Sequence, residues 1–393
     1  MEKAKIKKAG LLLDIPYDVL YDILLRLPVS SLIRFKAVNR YWHSLISSHG
    51  FAVEHFNIQA NRVRPSPRRY GVIHVSSILQ QQLPRLSLYM HRRIEEEEDS
   101  ETALVEAVGV RNTLELLEDY KSTHDTRVFG SCNGLLLIGH DNVPKCFVLW
   151  NPLTGQEKRL PLNHFSDFPM NFMAGLGYDS SSDNFKVVVG VFDGDTRLTK
   201  VAVYNLKTNS WATVENTETR YEFSSNKPGI TLTNGAPHWM LRHGDTGGLV
   251  NILVYFDLVE ENFKELPLPD ALVSRKNIFL SSCKGFLCVG GYSYVSSKSY
   301  TIWIMNEYGV KESWTILMEI PDIRPCYQIL TFQHLMSLRI PKKSKALILL
   351  DWNSVAKYSS LGSKGTAVSF SGDQEGLMVA AFVESLISPN SFG

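Results

Sequence analysis

The residues of this chain that could perform chemistry are few. Cys132 lies in the segment Gly130-Ser131-Cys132-Asn133-Gly134, which lacks a serine at the nucleophile position. A cysteine and histidine pair would need a geometry that the sequence alone does not show. The chain also lacks a Gly-x-Ser-x-Gly elbow, a His-Glu-x-x-His motif and a phosphate-binding loop. We therefore assign no catalytic residue and expect a non-catalytic protein.

Metal binding is also not indicated by the spacing of the candidate ligands. His238 and His243 are five residues apart in an apparent strand, which places them on opposite faces, and the same holds for Cys283 and Cys288. Cys132 and Cys283 both precede a glycine by two residues, so their recurrence indicates a structural repeat. We predict no metal and no cofactor.

Composition is that of an ordinary globular chain. The 393 residues include 41 Lys and Arg against 40 Asp and Glu, which leaves a formal net charge of +1 and no overall field to attract nucleic acid. The longest apolar runs have the length of a strand, so we expect no membrane-spanning segment. The short basic tail at Lys3, Lys5, Lys7 and Lys8 is typical of a frayed terminus. Neither a nucleic acid nor a membrane is an expected partner.

The cysteines and the first residues indicate the cellular compartment. The N-terminus lacks the apolar core and cleavage site of a signal peptide, and the five cysteines are odd in number and scattered. These features favour reduced thiols and a cytoplasmic or nuclear location.

Residues 14–56 have the periodicity of short amphipathic helices. Asp14 and Pro16 mark a helix start, and Pro28 ends the first helix. The pattern predicts three helices, whose apolar positions are Val19, Leu20, Ile23, Leu24, Leu27, Leu32, Phe35, Val38, Tyr41, Trp42, Leu45 and Ile46. Leu24 and Leu25 cannot both face one three-helix core, so we expect a second surface to cover the helices. That surface is either the chain's own β body or another protein.

The rest of the chain falls into two zones. Residues 57–127 form a connecting segment with some strands and an acidic run at 95–101, which is typical of a solvated loop. Residues 128–393 consist of short apolar segments separated by Gly, Asn, Asp and Ser, which predicts an all-β body. The chain is thus expected to be an α+β multidomain protein.

A repeat runs through the β body. Turn residues that follow an apolar strand recur at positions 151, 205, 257, 306 and 351, at spacings of 54, 52, 49 and 45. These spacings are close to a propeller blade of roughly 40 to 50 residues. Five units, together with strands between 70 and 127 and at 377–386, predict about six blades. A β sandwich or an irregular barrel remains the alternative.

The N-terminal helices resemble a known module. Ile15-Pro16-x-Asp18, the run from Ile23 to Phe35, and Val38-x3-Trp42-x-Ser44-Leu45-Ile46 closely resemble the F-box, the Skp1-binding module of cullin-based ubiquitin ligases. The usual Leu before Pro is replaced by Ile15. The resemblance implies that eight residues contact Skp1, namely Ile15, Pro16, Ile23, Leu24, Leu27, Pro28, Leu32 and Val38. Trp42 and Leu45 are assigned to the core of the module, although Trp42 could also reach the interface.

The β body resembles the F-box-associated, kelch-like domain of plant F-box proteins, including the S-locus F-box group. The resemblance is carried by Ser131-Cys132-Asn133-Gly134-Leu135, Trp150-Asn151-Pro152, Gly177-Tyr178-Asp179, Tyr204-Asn205, Asn234-Gly235 and His238-Trp239. It implies that this domain recruits a protein to be ubiquitinated, while the F-box binds Skp1 and through it a cullin. Four segments are candidates for the target contact by length alone: Asp193 to Thr199, Thr219 to Lys227, His243 to Leu249 and Gly291 to Ser299.

The expected function is therefore that of a substrate-recognition subunit of an SCF ubiquitin ligase. Two alternatives stay open at this point. One is a Skp1-binding protein that works outside a ligase as an assembly or sequestering factor, and the other is a propeller enzyme.

Overall fold

The computed structural model describes much of the chain in separate ranges. They are residues 16–61, 72–76, 85–92, 106–115, 126–140, 143–161, 172–193, 198–214, 221–222, 227–228, 230–231, 234–245, 248–274, 278–283, 285–293, 299–320, 346–351, 354–359, 364–369 and 382–392. Ile15, the basic tail and the acidic run at 95–101 lie outside these ranges.

From residue 16 to residue 61, the described part of the N-terminal region contains four helices, so the prediction of three is not confirmed. They are α1 (Tyr17–Leu25), α2 (Val29–Phe35), α3 (Arg40–Ser47) and α4 (His49–Asn61). Ser48 separates the last two because its backbone is extended, with ψ of 143°, and its hydroxyl accepts a hydrogen bond from the Phe51 amide. Such a residue ends one helix and caps the next. The apolar positions of the predicted helices ended at Ile46, so α4 was not predicted.

The prolines act as the sequence predicted. Pro16 lies directly before α1 and Pro28 directly before α2, both with φ near the value that a proline ring fixes. Asn39 caps α3 through a hydrogen bond that its side chain accepts from the Trp42 amide, at 2.8 Å. Within the described ranges, no helix combines the length and the apolarity needed to cross a bilayer.

Among the described residues, four mainly antiparallel sheets form blades of a propeller. Blade 1 contains β4 (Thr126–Cys132), β5 (Leu135–His140), β6 (Val143–Trp150) and β7 (Glu157–Arg159). Blade 2 contains β8 (Phe172–Asp179), β9 (Asn184–Asp193), β10 (Leu198–Asn205), β11 (Ser210–Val214) and, beside β8, the short parallel strand β13 (Lys227–Pro228).

The remaining two blades follow the same antiparallel order. Blade 3 contains β12 (Tyr221–Glu222), β14 (Ile230–Thr231), β15 (Pro237–Asp245), β16 (Gly248–Asp257) and β17 (Asn262–Leu266). Blade 4 contains β18 (Ile278–Cys283), β19 (Phe286–Ser293), β20 (Ser299–Met305) and β21 (Trp314–Ile320). The short helix α5 (Asp270–Val273) connects them, and a 3-10 turn (Lys311–Ser313) precedes β21.

The prediction of about six blades is wrong, because the described residues form four. The segments expected to complete the ring form two sheets of only three strands each. They are β1 (Val72–Ser76), β2 (Arg85–Arg92) and β3 (Glu106–Glu115), and β22 (Ala346–Asp351), β23 (Ser354–Ser359) and β24 (Lys364–Ser369). The strand predicted at 377–386 is not confirmed where it is described, since 382–386 lack strand structure.

One hydrophobic core joins the helices to the blades. Leu24, Leu32 and Phe51 of the helices belong to the same buried cluster as Trp150 and Tyr204 of the blades. The C-terminal segment 382–392, which we name the C-terminal strap, adds Phe382, Leu386, Ile387 and Phe392 to this cluster. The helices are therefore covered by their own β body on one side, as one of the two sequence alternatives proposed.

Candidate functional site

The residues predicted to contact Skp1 divide into an exposed and a buried group. Pro16 and Pro28 are exposed, and Ile23 and Val38 keep 46% and 56% of their surface. Leu27 is half-buried. Leu24 and Leu32, in contrast, are 1% and 0% exposed within this chain.

The sequence predicted that a second surface would cover the helices, because Leu24 and Leu25 cannot both face one three-helix core. Both are buried, with Leu25 at 2%, because the unexpected helix α4 packs against α1. The side-chain amide of Gln59 donates to the Leu25 carbonyl oxygen at 3.1 Å, and the Nε2 atom of His55 lies 2.8 Å from the Leu27 carbonyl oxygen. These bonds satisfy backbone groups at the end of α1.

Tyr21 and Glu54 add a polar link between the same two helices. The Tyr21 hydroxyl donates to the Glu54 carboxylate at 2.7 Å. Burial and this carboxylate raise the pKa of Tyr21 to about 12, so the tyrosine stays a hydrogen-bond donor at neutral pH.

Trp42 and Leu45 are half-buried and pack against the common core. The Trp42 ring meets the ring of Phe35 edge to face, with centroids 5.3 Å apart. Because Phe35 ends α2 and Trp42 lies in α3, this contact links two of the short helices.

Three further exposed side chains on the helices were not among the predicted contact residues. Tyr17, Val19 and Tyr41 keep 54%, 48% and 50% of their surface. The rings of Tyr17 and Tyr41 are in edge contact, with centroids 6.4 Å apart, which connects α1 with α3. Their large apolar area in an amphipathic pattern was the available signal, but the pattern suggested core positions. We use the name apolar helix face for the exposed apolar residues of the helices, which are Pro16, Tyr17, Val19, Ile23, Pro28, Val38 and Tyr41. Tyr17 and Val19 are two residues apart on α1, so the set covers more than one side of that helix.

The helices meet the propeller at a polar contact. His49 is the first residue of α4, and its Nε2 atom lies 2.8 Å from Oδ2 of Asp183, in the turn between β8 and β9. The Tyr178 hydroxyl donates to the other oxygen of this carboxylate at 2.6 Å. Although partial burial opposes it, hydrogen bonds from Tyr178 and His49 hold the pKa of Asp183 below its usual value. Asp183 is thus an anion at neutral pH.

Three of the blades share one turn motif at positions where the sequence repeat was found. The side-chain oxygens of Asn151, Asn205 and Asp257 each accept hydrogen bonds from the amides two and three residues later. This local bonding fixes the turn before the last strand of a blade. The repeat spacing read from the sequence thus reflects three equivalent turns.

These turns and the starts of three candidate target segments lie at opposite edges of the sheets. Consecutive antiparallel strands reverse direction, so the β8–β9 and β16–β17 turns share one edge with each other. The Tyr178 amide donates to the Gly235 carbonyl oxygen, and Lys186 donates to the Leu258 carbonyl oxygen, along this same edge. The ends of β9, β15 and β19, where three of the four candidate segments begin, lie at the other edge. The helices contact the first edge through Asp183.

The cysteine and histidine candidates are held in structural contacts. Cys132 and Cys288 are buried, and burial raises the pKa of the Cys132 thiol, which opposes a role as nucleophile. His238 is fully buried, with Nδ1 2.9 Å from the Ala236 carbonyl oxygen and Nε2 2.7 Å from the Tyr308 hydroxyl. Both ring nitrogens of His238 are therefore occupied. Among the described residues, no group of three or more potential ligands could hold a metal ion.

Comparison with protein families gives two matches. Residues 12–54 match the F-box domain, and residues 89–389 match the F-box associated beta propeller domain. The second match covers more than half of the chain.

The chain belongs to the F-box proteins with an F-box associated beta propeller domain. Curated proteins of Arabidopsis thaliana agree with this assignment. The chain is similar to F-box protein CPR1, with 28% identity over 86% of this chain and 80% of that protein. It is also 28% identical to F-box/kelch-repeat protein At3g23880, over 79% of this chain and 80% of that protein, and to F-box protein At3g07870, over 78% and 72%. The F-box protein is thus a member of an SCF substrate-adaptor family, and its F-box domain indicates a partner of the Skp1 type.

Proposed function

We propose that this F-box protein is the substrate-recognition subunit of an SCF ubiquitin ligase. In this proposal a Skp1-like protein binds the helices, a cullin binds Skp1, and a protein target binds the propeller. The observation that carries the proposal is the apolar helix face, which stays open after the helices have packed on their own β body.

The exposed side chains of the apolar helix face are suited to binding another protein. Exposed aromatic and aliphatic groups gain free energy when a second protein removes them from water, at roughly 25 cal/mol per Å². Ile23 and Val38 would make contacts directly, and so would the exposed Pro16 and Pro28. Leu24 and Leu32 are buried already, so in this proposal they support the backbone of the contact surface.

The target is proposed to bind at the edge of the propeller away from the helices. Three of the candidate segments begin there, at the ends of β9, β15 and β19. At the opposite edge, Asp183 contacts His49 of α4, and the Tyr178 amide donates to the Gly235 carbonyl oxygen. This arrangement would keep the target clear of Skp1. Loops on a rigid scaffold are the usual carriers of binding specificity.

The proposed role is to hold two proteins close together, without chemistry of its own. A target held beside a charged ubiquitin-conjugating enzyme experiences a high effective concentration of the reactive group. The buried state of Cys132 and the occupied ring of His238 agree with a non-catalytic subunit. We further propose a cytoplasmic or nuclear location.

Co-purification of the full-length chain tests this function. We expect a Skp1-like protein and a cullin in the purified complex, and loss of both from a variant that carries Leu27→Asp and Pro28→Ala. The folded propeller should be retained, as judged by near-ultraviolet circular dichroism. Recovery of Skp1 without a cullin, together with unchanged half-lives of all captured proteins, would instead favour a sequestering factor.

A further inference from the structure

The contact between His49 and Asp183 joins two parts of the chain that are 134 residues apart in sequence. It lies beside an open depression along α4, and the side chains keep 28% and 43% of their surface. Ion pairs with this exposure contribute little to folding stability. The other ring nitrogen of His49, Nδ1, is buried without a hydrogen-bond partner among the described residues. The Asp183 bond is therefore what orients this ring by hydrogen bonding.

A second hairpin in the same blade shows what Asp183 adds. Tyr204 and Asn209 repeat the arrangement of Tyr178 and Asp183, because each tyrosine hydroxyl donates at 2.6 Å to an oxygen five residues later. Asp183 and Asn209 both have positive φ, 49° and 53°. An asparagine is sufficient for the local hairpin at 209, and this residue type adopts positive φ readily. The carboxylate at 183 differs in that its second oxygen reaches His49.

Phe392 also packs against the contact between His49 and Asp183. Its ring packs against His49 with centroids 4.5 Å apart and against Phe185 of β9 at 5.4 Å. The strap that carries Phe392 is bonded to blade 1, since the side-chain amide of Asn390 donates to the Glu157 carbonyl oxygen at 3.0 Å. The strap, the first helical residue of α4 and blade 2 thus meet at one point.

We propose that His49, Asp183 and Phe392 form a clasp that fixes the orientation of the F-box helices on the propeller. The consequence for ubiquitin transfer rests on the proposed function: His49 and Asp183 are positioning residues that set where the bound target stands relative to Skp1. The clasp itself is a property of the chain alone. It can be tested whether or not Skp1 binds.

The distance between helices and propeller provides the test. Fluorescent unnatural amino acids replace exposed Arg34 on α2 and exposed Glu312 before β21 in the full-length chain, and the distribution of distances is obtained from energy transfer. The test variant is Asp183→Asn, which keeps the volume, the acceptor oxygen and the tolerance of positive φ. The matched control is Asn209→Asp, which makes the reverse change in a hairpin whose tyrosine contact is equivalent.

The clasp predicts a broader distribution for Asp183→Asn than for the original chain, and an unchanged distribution for Asn209→Asp. His49→Ala should broaden it as well, and combining His49→Ala with Asp183→Asn should add no further width, because the two residues act through each other. An unchanged width in Asp183→Asn and in His49→Ala would overturn the proposal. So would equal broadening in Asn209→Asp.

Skp1 binding of the same proteins separates the two proposals. The affinity for a Skp1-like protein should be unaltered in Asp183→Asn, while ubiquitin in a reconstituted ligase should shift to different lysines of the chain. An unaltered lysine pattern despite a broader distance distribution would overturn the positioning role and leave the clasp. If the original chain fails to bind Skp1, the proposed function fails, and the distances still decide whether the clasp exists.

Discussion

The side-chain amide of Asn151 donates a hydrogen bond to the carbonyl oxygen of Ile387 at 2.8 Å, across 236 residues of sequence. The same amide donates to the Ser385 carbonyl oxygen at 3.0 Å, and Asn151 is fully buried. The C-terminal strap is thus attached to blade 1 by a side chain that also forms the blade's own turn.

Replacement of Asn151 by alanine should therefore be strongly destabilising. Two carbonyl oxygens would lose a buried donor, which costs roughly 2 to 4 kcal/mol together. Asn205→Ala is the matched control, because Asn205 forms the same local turn with the Lys207 and Thr208 amides. Asn205→Ala should lower the free energy of unfolding by about 1 kcal/mol or less. Urea unfolding measures both, and equal losses would contradict the role of the strap.

A second prediction compares two glycines with positive φ. Gly235 has φ of 79°, and a Cβ atom there would lie 2.1 Å from the Tyr178 carbonyl oxygen. Gly309 has φ of 82°, but a Cβ atom would meet nothing within 4 Å. Gly309→Ala should lower the free energy of unfolding by about 1 kcal/mol, because only the backbone conformation is unfavourable for alanine. Gly235→Ala should lower the free energy of unfolding clearly more, because blades 2 and 3 must move apart to make room for the Cβ atom. Similar midpoints of thermal unfolding for the two variants would contradict this prediction.

The apolar helix face gives a prediction for binding. Ile23→Asp and Val38→Asp should each abolish capture of a Skp1-like protein and change the free energy of unfolding by no more than about 0.5 kcal/mol. Leu32→Ala should instead destabilise the helices by about 2 to 5 kcal/mol, because this side chain is fully buried.

Val259→Asp provides the control for that experiment. Val259 keeps 67% of its surface but lies in a turn of blade 3, so the change should leave Skp1 capture intact. Isothermal titration with purified Skp1-like protein gives the affinities. Retained affinity in both Ile23→Asp and Val38→Asp would exclude the apolar helix face as the contact surface.

The pH dependence of stability can be predicted at Asp257. Although burial opposes it, hydrogen bonds from Lys264 and from the Glu260 and Val259 amides hold its pKa below the ordinary value of 3.8. A folded-state pKa below the unfolded one gives stability that is present above pH 3.8 and is lost as the pH falls through the folded-state pKa. Asp257→Asn should thus be less stable than the original chain at pH 7, and the difference should vanish at low pH. A constant difference from pH 7 to pH 3, measured by urea unfolding, would contradict this assignment.

Local features of the sequence carried much of the fold. Pro16 and Pro28 mark helix starts because a proline restricts its own backbone, and the turn residues at 151, 205 and 257 bond to amides two and three residues away. Signals of this kind depend only on near neighbours. They were sufficient for the helical module, the β repeat and the family resemblance.

The sequence did not correctly predict the number of helices or the number of blades. The apolar positions assigned to the third predicted helix end at Ile46, so the separate helix α4 that follows Ser48 was not predicted. The spacing of the turn at 351 indicated another blade, although the strands around it form a sheet of only three in the described residues. The spacing of a repeat predicts where strands end, but it does not predict how many strands pair in one sheet.

The sequence by itself determined the module types, their order and the turn positions, because these follow from residues close together in the chain. Tertiary structure decided that Leu24 and Leu32 are buried while Ile23 and Val38 stay open, since burial depends on how α4 and the blades pack around them. It also decided that His49, Asp183 and Phe392 meet. Contacts between residues so far apart in sequence leave no local pattern, because the two partners come together only when the chain folds.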